Sequence, residues 1–76
     1  PTYKGYVVIK GLMADTEVRI VDASGNLVTV LQGLGGEVIW DITNTSGNRV
    51  SSGVYTIICN TKGGNAYGTT KVLIMN

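Results

Sequence analysis

One turn is written twice in this chain of 76 residues. Asp22-Ala23-Ser24-Gly25-Asn26-Leu27-Val28 and Asn44-Thr45-Ser46-Gly47-Asn48-Arg49-Val50 share the pattern Asp/Asn-x-Ser-Gly-Asn-x-Val. An Asx side chain accepts a hydrogen bond from the backbone two residues on, and Gly followed by Asn tolerates positive φ. Gly25, Asn26, Gly47 and Asn48 are therefore read as turn residues, as is Gly53 ahead of the next apolar run. A chain that turns repeatedly between short β-branched runs is constrained to short antiparallel strands.

Six segments have strand character: 6–10 (YVVIK), 17–22 (EVRIVD), 26–32 (NLVTVLQ), 37–41 (EVIWD), 54–60 (VYTIICN) and 69–75 (TTKVLIM). The first Ser-Gly turn joins the second and third as a hairpin. The one helical candidate, 12–17, is too short and lies between strands. Short strands at a spacing of about 8–12 residues predict an all-β antiparallel sandwich of six to seven strands, with no significant helix. Alternation then assigns faces. Val18, Ile20, Trp40, Tyr55, Ile57, Cys59, Val72 and Ile74 point inward as the predicted core, with Val38 beside Trp40. Ile39, Val54, Thr56, Ile58, Lys71, Leu73 and Met75 point outward. The outward set Ile39, Ile58 and Leu73 is more apolar than a free surface requires. It reads either as partly covered by neighbours or as a docking patch.

Composition narrows the function classes. Eleven Gly, four Tyr, one Pro and no Phe suit strands joined by tight turns. A domain of this length buries about 60% of its unfolded surface, and a net stability of about 4–11 kcal/mol follows from its size. A formal charge of +1 supplies no basic field, so nucleic acid is not expected as a partner. Cys59 is the only cysteine and there is no His. An internal disulfide, a Cys/His zinc site and a His-based triad within this chain are excluded, and no cofactor is expected. No apolar run reaches the roughly 18 residues of a membrane-spanning helix. The opening Pro1-Thr2-Tyr3-Lys4-Gly5 reads as a linker from an upstream domain, with a single domain over 6–76 at the end of a longer polypeptide.

Each chemical motif has a structural counterpart. Cys59 reads as a nucleophile or a small buried hydrophobe; the lack of a partner base and its apolar neighbours favour the second. Asp41, Asn44, Ser46 and Asn48 make an oxygen-rich loop that suggests calcium, but Asp41 is its only carboxylate and turn capping explains the pattern better. Asn44-Thr45-Ser46 is formally a glycosylation sequon and equally a turn. Leu34-Gly35-Gly36 and Lys62-Gly63-Gly64 lack the strand-loop-helix context of phosphate loops and read as connectors. Trp40 with Tyr55 reads as a sugar platform or as core. Tyr3, Tyr6 and Tyr67 are the better candidates for exposed aromatics.

The order of several short motifs carries a resemblance. Residues 11–28 (GLMADTEVRIVDASGNLV) are similar to the first half of a type IX secretion C-terminal sorting domain. Gly35-Gly36, Trp40-Asp41, Gly47-Asn48-Arg49-Val50, Ser52-Gly53-Val54-Tyr55 and Lys71-Val72-Leu73-Ile74 match its second half. Flagellar hook-capping Ig-like modules share a related pattern. The Gly-Leu-Met-Ala opening most resembles the tails of large surface β-propeller proteins, including the propeller component of the sortase attachment complex. One departure stands out: Ile42 occupies the place where the family carries Gly after Trp-Asp.

The resemblance implies an Ig-like sandwich at the end of an exported cargo protein. It would pass through the periplasm after Sec export and be read by the type IX outer-membrane translocon. A sortase would then remove it and link the cargo to anionic lipopolysaccharide at the cell surface. In the propeller component the domain is retained and implicated in lipopolysaccharide binding. Recognition is expected at Lys71, Leu73 and Met75 of the last strand, with outward Ile39 and Ile58. Three non-enzymatic readings remain: a sorting domain, a retained docking domain of a propeller protein, and a carbohydrate-binding accessory domain. An enzyme is disfavoured by the missing His and the lack of a paired-carboxylate motif.

Overall fold

Alternating apolar and polar residues set the strands of an all-β, Ig-like sandwich, with no helix among the described residues. The structure is a computed structural model that describes residues 2–3, 5–12, 15–33, 35–61, 63 and 65–75. Pro1 and Lys4 of the expected linker, Met13 and Ala14 of the Gly-Leu-Met-Ala opening, and Leu34, Lys62 and Gly64 of the connectors lie outside the described residues, as do the side chain of Tyr3 and Asn76. The strands in chain order are β1 (Thr2–Tyr3), β2 (Val7–Lys10), β3 (Thr16–Val21), β4 (Leu27–Gly33), β5 (Glu37–Trp40), β6 (Gly53–Asn60) and β7 (Ala66–Ile74). They form a five-stranded sheet, β1-β7-β6-β3-β4, and a two-stranded sheet, β2-β5. Neighbours are antiparallel except β1, which lies parallel to β7 with Thr2 beside Leu73 and Tyr3 beside Ile74. Thr2 and Tyr3, within the stretch read as a linker, therefore belong to the sheet edge.

The inner faces share one core. It holds Val18, Ile20, Trp40, Tyr55, Ile57, Cys59, Val72 and Ile74, as alternation predicts, and adds Val7 and Ile42. Trp40 meets Tyr55 edge to face, with ring centroids 5.6 Å apart and planes at 65°. Such aromatic pairs contribute about 0.5–1.5 kcal/mol beyond their buried area. Each ring's polar atom is satisfied by backbone: Trp40 Nε1 donates to the Thr43 carbonyl at 3.0 Å, and Tyr55 Oη donates to the Ser51 carbonyl at 2.7 Å. The second bond, from a strand tyrosine back to the main chain a few residues upstream, is the tyrosine corner of Ig-like sandwiches.

The two written turns fold alike. In the first, Asp22 Oδ1 accepts from the Ser24 and Asn26 N–H groups at 2.9 Å each, and Gly25 N–H donates to the Asp22 carbonyl at 3.0 Å. In the second, Asn44 Oδ1 accepts from Ser46 at 3.0 Å and Asn48 at 3.1 Å, and Gly47 N–H donates to the Asn44 carbonyl at 3.0 Å. Gly25 and Gly47 sit at φ 87° and 83°, where a Cβ is disfavoured. The Thr45 N–H donates to the Val28 carbonyl at 3.3 Å, so the second turn also covers part of the β4 edge.

Strand ends shift by one residue in β2, β3, β4 and β6, and three further boundaries differ from the sequence reading. β5 ends at Trp40 rather than Asp41, because Ile42 at φ 63° turns the chain there. β7 starts at Ala66 rather than at residue 69, running through Gly68, which pairs with Cys59. A bulge opposite Cys59/Asn60 makes this early part of β7 hard to read from alternation. β7 also ends at Ile74, leaving Met75 exposed beyond the strand.

Candidate recognition surface

Both sheets turn their inner faces to one core, so their outer faces look in opposite directions. This separates the residues expected to form one patch. Ile39, 56% exposed, lies on the outer face of the small sheet, opposite Val8 in register. Ile58 and Leu73 lie on the outer face of the large sheet. The structure brings Ile58, Lys71 and Leu73 onto one face, with Met75 just past its edge, and places Ile39 on the other side of the molecule.

Strand register builds that outer face in rows. Leu73 pairs with Val54. The next row runs Lys71, Thr56, Val21 and Leu27, and the one beyond runs Thr69, Ile58, Arg19 and Val30. Leu27, Val30, Val54 and Leu73 are all exposed large apolar residues, while Ile58 and Val21 are half-buried. Val54, Leu27 and Val30 extend the apolar set beyond what the sequence reading singled out. Val54 was legible as outward from alternation, but Leu27 and Val30, three residues apart, share a face only because of the bulge beside Val21, and their adjacency to Leu73 and Ile58 needs the strand order.

Charge on this face is sparse. The Arg19 guanidinium donates through Nε to Glu17 Oε1 at 2.5 Å, an exposed pair of the kind that contributes about 0–1 kcal/mol. Lys71 makes no ion pair among the described residues, so the face presents an ammonium group between two apolar rows. The face thus combines exposed apolar side chains with the Lys71 ammonium and the Arg19–Glu17 pair.

The other expected sites resolve into structure. Trp40 is fully buried and Tyr55 nearly so, which removes both from any sugar platform. Tyr6 is exposed. Tyr67 is partly exposed, and its hydroxyl shares a 2.5 Å hydrogen bond with that of buried Thr16. Cys59 lies on the core face opposite Val18 and Gly68, and burial pushes its thiol above the ordinary value. A neutral, packed thiol is a poor nucleophile. In the oxygen-rich loop, Asn44 Oδ1 is occupied by its own turn, and Asp41 Oδ1 accepts from the Thr43 hydroxyl.

With this geometry in hand, solved structures supply the comparison. The chain aligns over 99% of its length, at 26% identity and a TM-score of 0.82, with part of PorZ, an essential bacterial surface component of the type-IX secretion system of the human oral-microbiomic Porphyromonas gingivalis. The chain resembles part of PorZ. It spans only 11% of the PorZ chain. Dimeric latent PorU from the same organism shares the fold over 96% of this chain and 8% of its own, at 23% identity and a TM-score of 0.70. No family model and no curated protein matches the sequence. The domain is thus a β-sandwich similar to small parts of much longer type IX secretion proteins.

Proposed function

We propose that this chain is a non-enzymatic sorting and surface-attachment domain that directs a larger protein through the type IX secretion system to the outer-membrane surface. The observation that carries this reading is the similarity to part of PorZ along nearly the whole chain, at a TM-score of 0.82. The Gly-Leu-Met-Ala and Trp-Asp motifs and the twin turns support it independently, since they occur in family order. Recognition of a folded domain needs an exposed, shape-specific surface, and the outer face bearing Lys71, Leu73, Val54 and Ile58 supplies one. The partners in this reading are the outer-membrane translocon and the sortase attachment complex.

Fusing the domain to a periplasmic reporter in type IX-competent cells tests the reading. The reporter is expected at the cell surface or in the medium. Retention in the periplasm, with the fusion folded, overturns it.

A second reading keeps the fold and makes the domain a retained docking module on a surface protein, in contact with lipopolysaccharide or a partner protein. It is favoured by the similarity to PorZ, itself described as a surface component. Mass spectrometry of the mature parent protein separates the two. A terminal peptide from residues 66–75 on the surface-exposed protein supports retention, and a mature terminus upstream of the domain supports cleavage.

A further inference from the structure

Five strands face two across the core, so the smaller sheet covers only part of the larger. The uncovered part lies over the first half of β7. On the inner face there, Gly68 stands opposite Cys59 and Thr70 opposite Ile57, and neither β7 residue brings a large apolar side chain. Among the described residues β2 pairs with β5 alone, which leaves its other edge without a strand partner there. Between that edge and β7 runs a groove of about 330 Å³, with Ile9 and Leu12 on one wall, Ile57, Cys59 and Gly68 on the floor, and Lys10 at the rim. Tyr67 closes one end. It sits at the bulge, which turns its ring toward β3, where its hydroxyl meets that of Thr16.

We propose that this groove is a strand-acceptor site. An extended segment of a partner polypeptide adds to the free edge of β2 as a third strand of the smaller sheet, laying alternate apolar side chains over Gly68 and Cys59. Three features select that occupant. The unpaired N–H and C=O groups of an edge strand are matched by another backbone, which a lipid chain or a glycan does not offer. The floor is apolar and carries a glycine, so it accepts side chains at a two-residue period. Lys10 makes no ion pair among the described residues but stands opposite Glu37 in register, so a carboxylate at that end of the segment continues a cross-strand row of alternating charge. A second folded copy is a poorer fit, because the groove lies between two sheets and admits one extended segment but not a strand already flanked by its own sandwich. The proposal rests on the groove and edge, and stands apart from the sorting role.

The test uses an eight-residue synthetic peptide of alternating valine and threonine ending in aspartate, titrated into the ¹⁵N-labelled 76-residue chain. Saturable shifts and slowed amide exchange are expected at residues 7–10 and 68–70. A peptide N-methylated at alternate amides loses binding in one methylation phase, because the ladder donors are removed. Gly68→Val fills the groove. A Cβ at position 68 meets only Cys59 Cβ, at 3.9 Å, and Gly68 is not a positive-φ glycine, so a side chain can leave the backbone there without strain. The variant weakens binding at least about tenfold, about 1.4 kcal/mol, and its own spectrum reports that it is folded. Lys10→Glu transfers the preference to a peptide ending in lysine. Absence of shifts at β2, equal binding by both methylation phases, unchanged affinity of Gly68→Val, or self-pairing of β2 in place of peptide binding overturns the proposal.

Discussion

Ile42 adopts a left-handed backbone, φ 63°, that β-branched residues avoid, yet its side chain is fully buried in the core. Two effects oppose each other there. The left-handed conformation costs a side-chain-bearing residue about 1–2 kcal/mol, while burying the side chain stabilises by more, since Ile→Ala in a core costs about 2–5 kcal/mol. Ile42→Gly is therefore expected to be less stable than the parent but more stable than Ile42→Ala, by about 1 kcal/mol. Chemical denaturation of the two variants checks this, and the reverse order would contradict the balance. The sequence marks Ile42 as standing where the sorting domains it resembles carry Gly, and Gly at that place implies a positive-φ turn. It does not tell that the turn survives by sending the isoleucine side chain into the core. A second expectation concerns Tyr55, whose hydroxyl lies on the Ser51 carbonyl. Tyr55→Phe should cost about 0.5–1.5 kcal/mol, measured by thermal unfolding. Burial, with the Asp22 carboxylate adding to it, pushes the Tyr55 phenol above its ordinary 10.0, and burial pushes the Cys59 thiol above 9.0. Both groups hold their protons longer in the folded state, so the unfolded chain releases protons first. The stability they contribute is complete below about pH 9 and declines as pH rises from there. Tyr55→Phe should remove the phenol's part of that decline and keep the thiol's.

Among the elements, the twin turns were the most legible, because Asx, Ser and Gly each act on backbone within four residues. Asp22→Ala and Asn44→Ala each remove two hydrogen bonds from main-chain N–H groups. Each is expected to lower stability by about 1–2 kcal/mol, the Asp22 change more because its bonds are charge-assisted. Equal melting temperatures for Asn44→Ala and the parent would show that the second turn is held by its flanking bridges instead. The start of β7 was not legible. Gly68 interrupts the strand pattern, and the bulge adds a residue, so alternation loses phase between Ala66 and Thr69. The outward patch was only half legible for a related reason. A period of two says whether Ile39 or Ile58 points in or out of its own sheet, but not which sheet each strand joins. That information resides in pairings between strands distant in the chain, and here it puts Ile39 on the opposite side from Ile58.

For the molecule as a whole, this separation of faces divides the recognition residues into two testable groups. Lys71→Glu and Leu73→Asp alter exposed positions, so each should change stability by no more than about 0.5 kcal/mol. Both are expected to lower surface delivery of a fused reporter. Ile39→Asp, on the far side, should leave delivery unchanged. Equal loss from all three would place recognition elsewhere. One property of the topology bears on how such a domain is made. β7 contributes the last-described strand residues but lies inside the sheet, between β1 and β6. Its pairing with β1 also joins residues about 71 positions apart, Thr2 with Leu73. Contacts that distant in the chain close slowly. During synthesis, β6 has only β3 beside it and β1 has no partner until residues 66–74 have emerged, so the large sheet stays incomplete until β7 is made. The order of strands thus acts as a timer, keeping the nascent domain open until that strand is complete.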